Sequence, residues 1–329
     1  MYKEICDHRS EFINKLNSAE SGIKPWQFML LGTDAIVSLI KFINEYKEIA
    51  KSLPRRVQDR IGTAAVMVFS LWAYCEISGR SLSDLLEDCV LAPALMLYIV
   101  AVTQDDHFDE LNFQAPGTVS SECYWEVYRA GEIDEMNFQA EYTWAINQIE
   151  VNEKLSSEIR AHLIELIAQS WIKCQQAEDE QVARRNEQVD IFDAHILKRH
   201  SYGVLGEALT AVLNGPEAMT EKGHETEDAM IAFCLLGGII DGQADIEEDR
   251  GMTVSLALSA EQRDQNLQLE KNTTANSLLH LYLQELKSPK VIAVSMLLSK
   301  LYPIMNATNV LSKKIFKTFF NPVTFLFKV

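Results

Sequence analysis

Two long apolar stretches with helical spacing constrain this chain more than any other feature, because each leads directly into a cluster of carboxylates. The first pattern covers residues 82–110 and the second covers residues 228–248. Their most apolar parts, 90–103 and 229–240, are shorter than the roughly 20 residues that cross a bilayer. The sequence therefore predicts buried helices and no transmembrane segment.

Interruptions of the helical pattern are few, because the 329 residues include only 14 glycines and 8 prolines. Average usage of these two residues is about 12%, and a protein of many strands would need more turns. Apolar residues make up 47% of the chain, which excludes a disordered protein. We therefore expect one all-α helical bundle of about ten helices over residues 1–315, followed by an aromatic and basic tail over residues 316–329.

Individual residues predict where helices begin and end. Pro25 is expected in the first turn of a helix, where the missing N–H has no helical partner to lose. Gly79 predicts a helix stop, and Ser81 predicts the cap of the next helix. We expect the pattern over 82–110 to form one continuous helix and residues 111–121 to form a loop.

The charge of the chain limits its partners. A net charge of −17 excludes general binding to nucleic acid, because an acidic surface repels phosphate backbones. A phosphate ligand is compatible with such a surface when metal ions lie between the two. The six cysteines contain no CxxC pair, and the first 18 residues are too polar for a secretory signal. We therefore expect reduced thiols and a cytoplasmic protein.

The first acidic cluster contains Asp105, Asp106 and Asp109. Asp105 and Asp109 are four residues apart and therefore share one face of a helix. Like charges at this spacing destabilise a helix, and at its carboxyl end they also oppose the macrodipole. Divalent cations would offset both costs, so we interpret the pair as metal ligands.

The second cluster repeats the pattern. Asp241, Asp245 and Asp249 form one helical stripe, with Glu248 close to it. Mg²⁺ prefers carboxylate oxygens together with substrate phosphates, so two such helices facing each other would hold Mg²⁺ ions and a diphosphate. A solvated helix end is the competing interpretation of either cluster alone, and the repetition favours the metal sites.

The residues Asp105-Asp106-His107-Phe108-Asp109 resemble the DDxxD motif of class I isoprenoid synthases, and the pattern from Asp241 to Arg250 resembles the DxxxDxEEDR motif of large terpene synthases of the tetraprenyl-β-curcumene synthase type. The resemblance implies an isoprenoid-synthase bundle around a central apolar cavity, with about three Mg²⁺ ions bound together with substrate diphosphate. It implies five metal ligands: Asp105, Asp109, Asp241, Asp245 and Asp249. It also implies that Asp106 and Glu248 are alternate ligands or partners of the ligands.

Lys198 and Arg199 lie upstream of Asp241, where class I cyclases carry a diphosphate-sensing arginine and a break in a helix. Gly203 and Gly206 each cost about 1 kcal/mol inside a helix, which makes a break reasonable. The resemblance assigns Arg199 as the catalytic, diphosphate-binding residue, with Lys198 and Arg250 as further diphosphate ligands. The candidate cavity lining is Phe69, Trp72, Leu95, Tyr98, Phe108, Tyr202 and Phe233.

The resemblance implies a Mg²⁺-dependent terpene synthase that ionises a linear prenyl diphosphate and cyclises the carbocation or eliminates a proton from it. A trans-prenyltransferase, either chain-elongating or head-to-head, is the alternative. Elongation needs basic residues for a second diphosphate, and Arg55-Arg56 is the only early pair. A non-enzymatic helical scaffold also stays open. We further expect a homodimer, and we expect the tail 316–329 to pack as core, to close the cavity or to contact a membrane surface.

Overall fold

The computed structural model describes residues 25–59, 65–114, 138–184, 197, 199–244, 282–283 and 285–306. Side chains are described for these residues except at 25–32, 65–66, 103–114, 138–139, 175, 178–179, 182, 199, 239–244 and 298–306. All regular elements within these ranges are helical, and the expected all-α fold is confirmed. None of the described helices is long and apolar enough to cross a membrane.

Ten α-helices are described in these ranges: α1 (Pro25–Ala50), α2 (Arg55–Gln58), α3 (Ala65–Ser78), α4 (Leu82–Glu87), α5 (Leu91–Gln114), α6 (Phe138–Glu150), α7 (Ser157–Ala183), α8 (Val204–Asn214), α9 (Glu221–Ala244) and α10 (Pro289–Asn306). A π-helix (Arg199–Gly203) leads into α8, and a 3₁₀-helix (Gly215–Glu217) follows it.

One hydrophobic core connects these helices, from Ala35 on α1 to Val294 on α10. Helix α8 packs against α5, α7 and α9, while α9 also packs against α3 and α10. Helix α10 in turn packs against α1. Helix α8 therefore contacts both of the helices in which the acidic clusters lie.

Short-range rules predicted several helix ends correctly. Gly79 ends α3 with a positive φ of 74°, whereas the residues before Pro25, which would show whether α1 begins there, lie outside the described ones. Ser81 caps α4, because its hydroxyl accepts the N–H of Asp84 while the Asp84 carboxylate accepts the N–H of Ser81 at 2.7 Å. These hydrogen bonds lower the pKa of Asp84, as expected for a carboxylate that accepts backbone donors.

The prediction of one continuous helix over 82–110 is wrong. Helix α4 ends at Glu87 and α5 begins at Leu91, with Cys89 between them at a positive φ of 57°. Pro93 explains the interruption, because in a continuous helix its ring would clash with the carbonyl of residue 89. The start at Leu91 places Pro93 in the first turn of α5, where proline is tolerated.

Two other boundaries also differ from the prediction. Helix α5 continues to Gln114, so the first part of the predicted loop over 111–121 is helical. Helix α9 begins at Glu221 rather than at residue 228. Its first residues are polar, and the apolar pattern alone did not indicate that they belong to the helix.

Arg80, just after α3, is buried and binds the end of another helix. Its guanidinium donates to the carbonyl oxygens of Leu213 and Asn214, the latter at 2.8 Å, and pairs with the carboxylate of Asp88. The last carbonyls of a helix lack partners within the helix. Arg80 therefore satisfies the end of α8 and connects it to the segment between α4 and α5.

We expect Arg80→Leu to lower the free energy of unfolding by about 3–5 kcal/mol, because the variant leaves a carboxylate and helix-end carbonyls without their cation. Urea unfolding measures the change. Arg55→Leu is the control, because Arg55 is exposed and lies 3.9 Å from Asp59, and such surface pairs contribute little. Similar losses in the two variants would contradict the role assigned to Arg80.

Asn214 extends this polar network into α9. It accepts a hydrogen bond from the Tyr74 hydroxyl at 3.0 Å, and its amide donates to the carbonyl of Gly223 at 3.0 Å and to Glu227 at 3.4 Å. Burial raises the pKa of Glu227, and its hydrogen bond with His224 opposes part of that rise. A buried carboxylate that must ionise at neutral pH costs stability.

Glu227→Gln is therefore expected to stabilise the fold at neutral pH. The pKa of Glu227 is raised in the folded state, so its protonated carboxyl favours folding at pH values below the unfolded pKa. This contribution is lost as the pH rises through the folded pKa. The advantage of glutamine should vanish near about pH 4 and grow toward about pH 7. Thermal unfolding of both proteins across this range measures it, and a difference independent of pH would contradict the prediction.

Candidate functional site

The first acidic cluster lies inside a helix and not at its end. Asp105 and Asp109 belong to α5, which continues to Gln114. The expectation that this cluster ends its helix is therefore wrong. Because the helix dipole acts mainly in the last turn, it destabilises these carboxylates less than it would at the end of the helix. Asp105 and Asp109 share one face about 6 Å apart along the axis. The side chains of this segment, with those of Asp106 and Phe108, lie outside the described ones.

The second acidic cluster begins in the last described turn of α9. Asp241 belongs to this turn, which ends at Ala244. The continuation of the stripe stays a prediction, because its other members lie outside the described residues: Asp245, Glu248, Asp249 and Arg250.

Helices α5 and α9 run in the same direction. Both begin beside the end of α8, because Val90 approaches to 3.2 Å from where a Cβ on Gly215 would lie, and Asn214 binds the carbonyl of Gly223. Farther along, α9 runs back beside α8, because Gly206 lies next to Cys234 and Tyr202 lies next to Gly238, and α5 also packs against α8.

Each acidic cluster begins about two turns beyond a residue of its own helix whose pKa burial raises. Asp105 is seven residues beyond Tyr98, and Asp241 is seven residues beyond Cys234. Seven residues make almost two full turns and rise about 10 Å. Asp105 and Asp241 therefore lie in the later parts of two helices that both begin beside the end of α8.

Three residues of the predicted cavity lining meet in the core between α3 and α9. The ring centroids of Phe69 and Trp72 are 5.5 Å apart, and those of Phe69 and Phe233 are 5.3 Å apart. These distances are typical of favourable aromatic pairs. Phe233 lies eight residues before Asp241, which is about 12 Å along α9. An aromatic cluster thus lies about two turns from the second acidic cluster.

The corresponding part of α5 is also buried and uncharged. Leu95 is fully buried in the core. Burial raises the pKa of Tyr98, Cys234 adds to this rise, and a hydrogen bond with Ser70 opposes it. Burial also raises the pKa of Cys234 to about 12. The phenol and the thiol are therefore neutral at physiological pH.

Where a break was predicted, the backbone stays helical but changes type: a π-helix, Arg199–Gly203, leads directly into α8. Single π-helical turns within helices are frequent at functional sites. The ring atoms of Tyr202 lie 3.5–3.7 Å from the position that a Cβ on Gly238 would occupy. Gly238 precedes Asp241 by three residues, so Tyr202 packs on the turn of α9 that leads into the second acidic cluster.

A glycine allows α8 and α9 to approach each other closely. A Cβ on Gly206 would lie 2.6 Å from the sulfur of Cys234 and 3.2 Å from its Cβ. A side chain at residue 206 would therefore force the Cys234 sulfur to move and its Cβ to give by a few tenths of an ångström. Gly237 differs, because a Cβ there has no neighbour within 4 Å.

Alanine substitutions at these two glycines should therefore have opposite effects on the free energy of unfolding. Gly206→Ala is expected to lower it by about 1–3 kcal/mol through overpacking. Gly237→Ala, the matched control, is expected to raise it by up to about 1 kcal/mol through better helix propensity. Urea unfolding measures both, and Cys234→Ala should rescue Gly206→Ala. Equal losses at both glycines would rule out the close approach.

Trp72 also borders a polar cleft of about 320 Å³ that the sequence did not predict. Its indole N–H donates to the hydroxyl of Ser38 at 3.2 Å, and the cleft contains the carboxylates of Glu45 and Glu76. The ammonium of Lys290 lies 3.0 Å from each carboxylate oxygen of Glu76. These charges come from α1, α3 and α10, so no local motif could have indicated the cleft.

Among the described side chains, no group of three or more His, Cys, Asp or Glu could hold a metal ion. That search does not reach the predicted ligands, because Asp105, Asp109 and Asp241 are described by their backbone alone. The same holds for Arg199, whereas Lys198 lies outside the described residues. Carboxylates are the donors that Mg²⁺ prefers, and these three lie in the later parts of α5 and α9. The donor set fits Mg²⁺ by its chemistry.

The chain matches no family model, no curated protein and no solved structure. The resemblance to class I isoprenoid synthases therefore rests on the motif residues of the two acidic clusters.

Proposed function

We propose that this chain is a Mg²⁺-dependent class I terpene synthase, which ionises a linear prenyl diphosphate and cyclises the carbocation or eliminates a proton from it. One observation supports the proposal: α5 and α9 both begin beside the end of α8 and pack against it, and Asp105 and Asp241 lie in the later parts of these two helices. Buried aromatic residues lie about 10 Å deeper. Carboxylates in the later parts of the two helices, with aromatic rings about 10 Å nearer to the helix starts, would suit a substrate with a diphosphate head and a hydrocarbon tail.

The polar part of the site would bind the diphosphate. When bound, Mg²⁺ supplies Lewis-acid chemistry that offsets the charge on the leaving diphosphate. Arg199 would donate paired hydrogen bonds to phosphate oxygens, for which a planar guanidinium is well suited. Lys198 and Arg250 would add positive charge beside it. The carboxylates that would hold the metal ions are Asp105, Asp109, Asp241, Asp245 and Asp249, assisted by Asp106 and Glu248.

The apolar part of the site would protect the carbocation. Water would quench such a cation, so the chemistry needs a dry interior. Phe69 and Phe233 supply aromatic faces, which attract cations. Tyr98 and Cys234 are neutral because burial raises the pKa of both groups. No phenolate or thiolate is therefore present at these two positions to trap the carbocation.

The alternative of chain elongation gains no support from the early arginine pair. Arg56 lies 2.5 Å from the buried carboxylate of Glu141, and Arg55 is exposed beside Asp59. A guanidinium that already neutralises a buried carboxylate is a poor anchor for a second diphosphate. The scaffold alternative predicts no ligand dependence, and the next experiment addresses it directly.

Mg²⁺ and pyrophosphate together are expected to raise the melting temperature of the protein, whereas either alone should do less. Ligand at 100 times its Kd stabilises the folded state by about 2.7 kcal/mol, which is several degrees in a protein of this size. Differential scanning fluorimetry measures the shift. No shift with any combination would favour the scaffold.

Catalysis is tested with Asp109→Asn and Asp241→Asn, which should abolish both diphosphate release and the ligand-dependent shift. Glu247→Gln is the control, because residue 247 is predicted to lie off the stripe, and it should retain both. Incubation with prenyl diphosphates of ten to thirty-five carbons, followed by mass spectrometry, identifies the products. A normal turnover in the Asp109 and Asp241 variants would contradict the assignment, provided that circular dichroism shows unchanged helicity.

A further inference from the structure

Gly237 is an open position in a segment of α9 that is otherwise packed. From Ala229 to Gly238 every other residue is buried except Cys234, which is half-buried. Gly237 itself is exposed, and a Cβ there would have no neighbour within 4 Å. A helix that is buried on all sides lies inside its bundle. The open space at residue 237 is therefore space inside the bundle.

The neighbours of Gly237 along α9 show in which direction this space lies. Each residue of an α-helix advances by about 100°, so residue 237 points between Phe233 and Cys234, about 40° from the first and about 60° from the second. Phe233 packs on Phe69 of α3, and Cys234 lies beside Gly206 of α8. Residue 237 therefore faces the gap between α3 and α8.

Helix α5 lies on the far side of this gap. It packs against α8, and its Tyr98 forms a side-chain hydrogen bond with Ser70 of α3. Within the described residues, α5 and α9 do not pack closely against each other, and neither do α3 and α8. These helices therefore surround the space into which Gly237 opens.

Packing does not explain a glycine at this position. A Cβ on Gly206 would lie 2.6 Å from the sulfur of Cys234, and Gly238 lies against the ring of Tyr202. No neighbour restricts residue 237 in this way, although glycine inside a helix costs about 1 kcal/mol relative to alanine. A missing side chain that the fold does not need leaves room for a ligand to approach the backbone.

The surroundings of this space indicate which part of a ligand it would take. Asp241 follows Gly237 by about one turn, or about 6 Å along α9. Phe69 and Cys234 are half-buried beside the space and carry no charge at neutral pH. An uncharged space below a carboxylate suits the hydrocarbon part of a ligand whose polar head binds at the carboxylate.

We propose that the space at Gly237 takes the hydrocarbon chain of the substrate and that the side chain at residue 237 limits the length of chain that the site accepts. This inference rests on the proposed terpene synthase activity and adds to it a residue that determines substrate size. Glycine at residue 237 leaves the space at its largest. A leucine there is similar in size to one isoprene unit and would take the volume that a longer chain needs.

The first measurement tests the space without catalysis. It uses Gly237→Cys in the full chain and follows its reaction with methyl methanethiosulfonate by fragmentation mass spectrometry. Decanol should slow this reaction saturably, by about tenfold at ten times its Kd, because it occupies the space. Ile172→Cys is the control, since residue 172 is 54% exposed on α7, and decanol should not change its rate. Equal rates at residue 237 with and without decanol would overturn the proposal.

The second measurement compares prenyl diphosphates of increasing length in Gly237→Leu and in the unmodified protein. Gly237→Leu should lower kcat/KM for the longest accepted chain about tenfold relative to a chain one isoprene unit shorter, because the longer chain would overpack the space. Ile172→Leu is the matched control and should keep the original preference. An unchanged preference in Gly237→Leu would overturn the proposal, provided that thermal unfolding shows the variant to be folded.

The two measurements separate this inference from the proposed activity. If the unmodified protein turns over no prenyl diphosphate, the proposed activity fails, and the decanol result alone decides whether the space at Gly237 binds an apolar chain. If the protein is active but decanol protects nothing at residue 237, the activity stands and the role of Gly237 is overturned. If Gly237→Leu does not fold, the decanol result again decides.

Discussion

The buried guanidinium of Arg80 organises the end of the bundle at which α5 and α9 begin. It binds the last carbonyls of α8 and the carboxylate of Asp88 at once, so the positions of these segments depend on one another. Asn214 extends this network to α9, because its side-chain amide donates a hydrogen bond to the carbonyl of Gly223. Both long helices therefore start from one hydrogen-bonded network, and their acidic turns begin about 20 Å along α5 and about 27 Å along α9. A rigid base of this kind suits a site whose ligands come from separate helices.

Much of the fold could be predicted from the sequence, because short-range rules decide where helices begin and end. Gly79 and Ser81 act through their own backbone or the next few residues, and the prediction at each of these positions was confirmed. The prediction over 82–110 failed although the cause was also local. Its apolar pattern continues through Pro93, but the proline ring excludes a helix that continues from the residues before it.

The candidate site could be predicted only in part. Asp105 and Asp109 were placed on one helix face by their spacing, which the helical backbone of α5 confirms. The faces of α8 and α9 that pack together are determined by tertiary structure. Nothing near Gly206 in the sequence identifies Cys234 as its neighbour, and nothing near Gly238 identifies Tyr202. The polar cleft around Glu76 was missed for the same reason, since its charges come together from three distant segments.

The π-helix before α8 also changes the rotational phase of that helix. A π turn holds about one residue more than an α turn. Each residue of an α-helix advances by about 100°, so the side chains after Gly203 point about 100° away from their directions in an uninterrupted helix. Gly206 meets Cys234 in this phase. Loss of one residue between 199 and 203 would therefore turn α8 about its own axis, and a different face of the helix would be presented to α5 and α9.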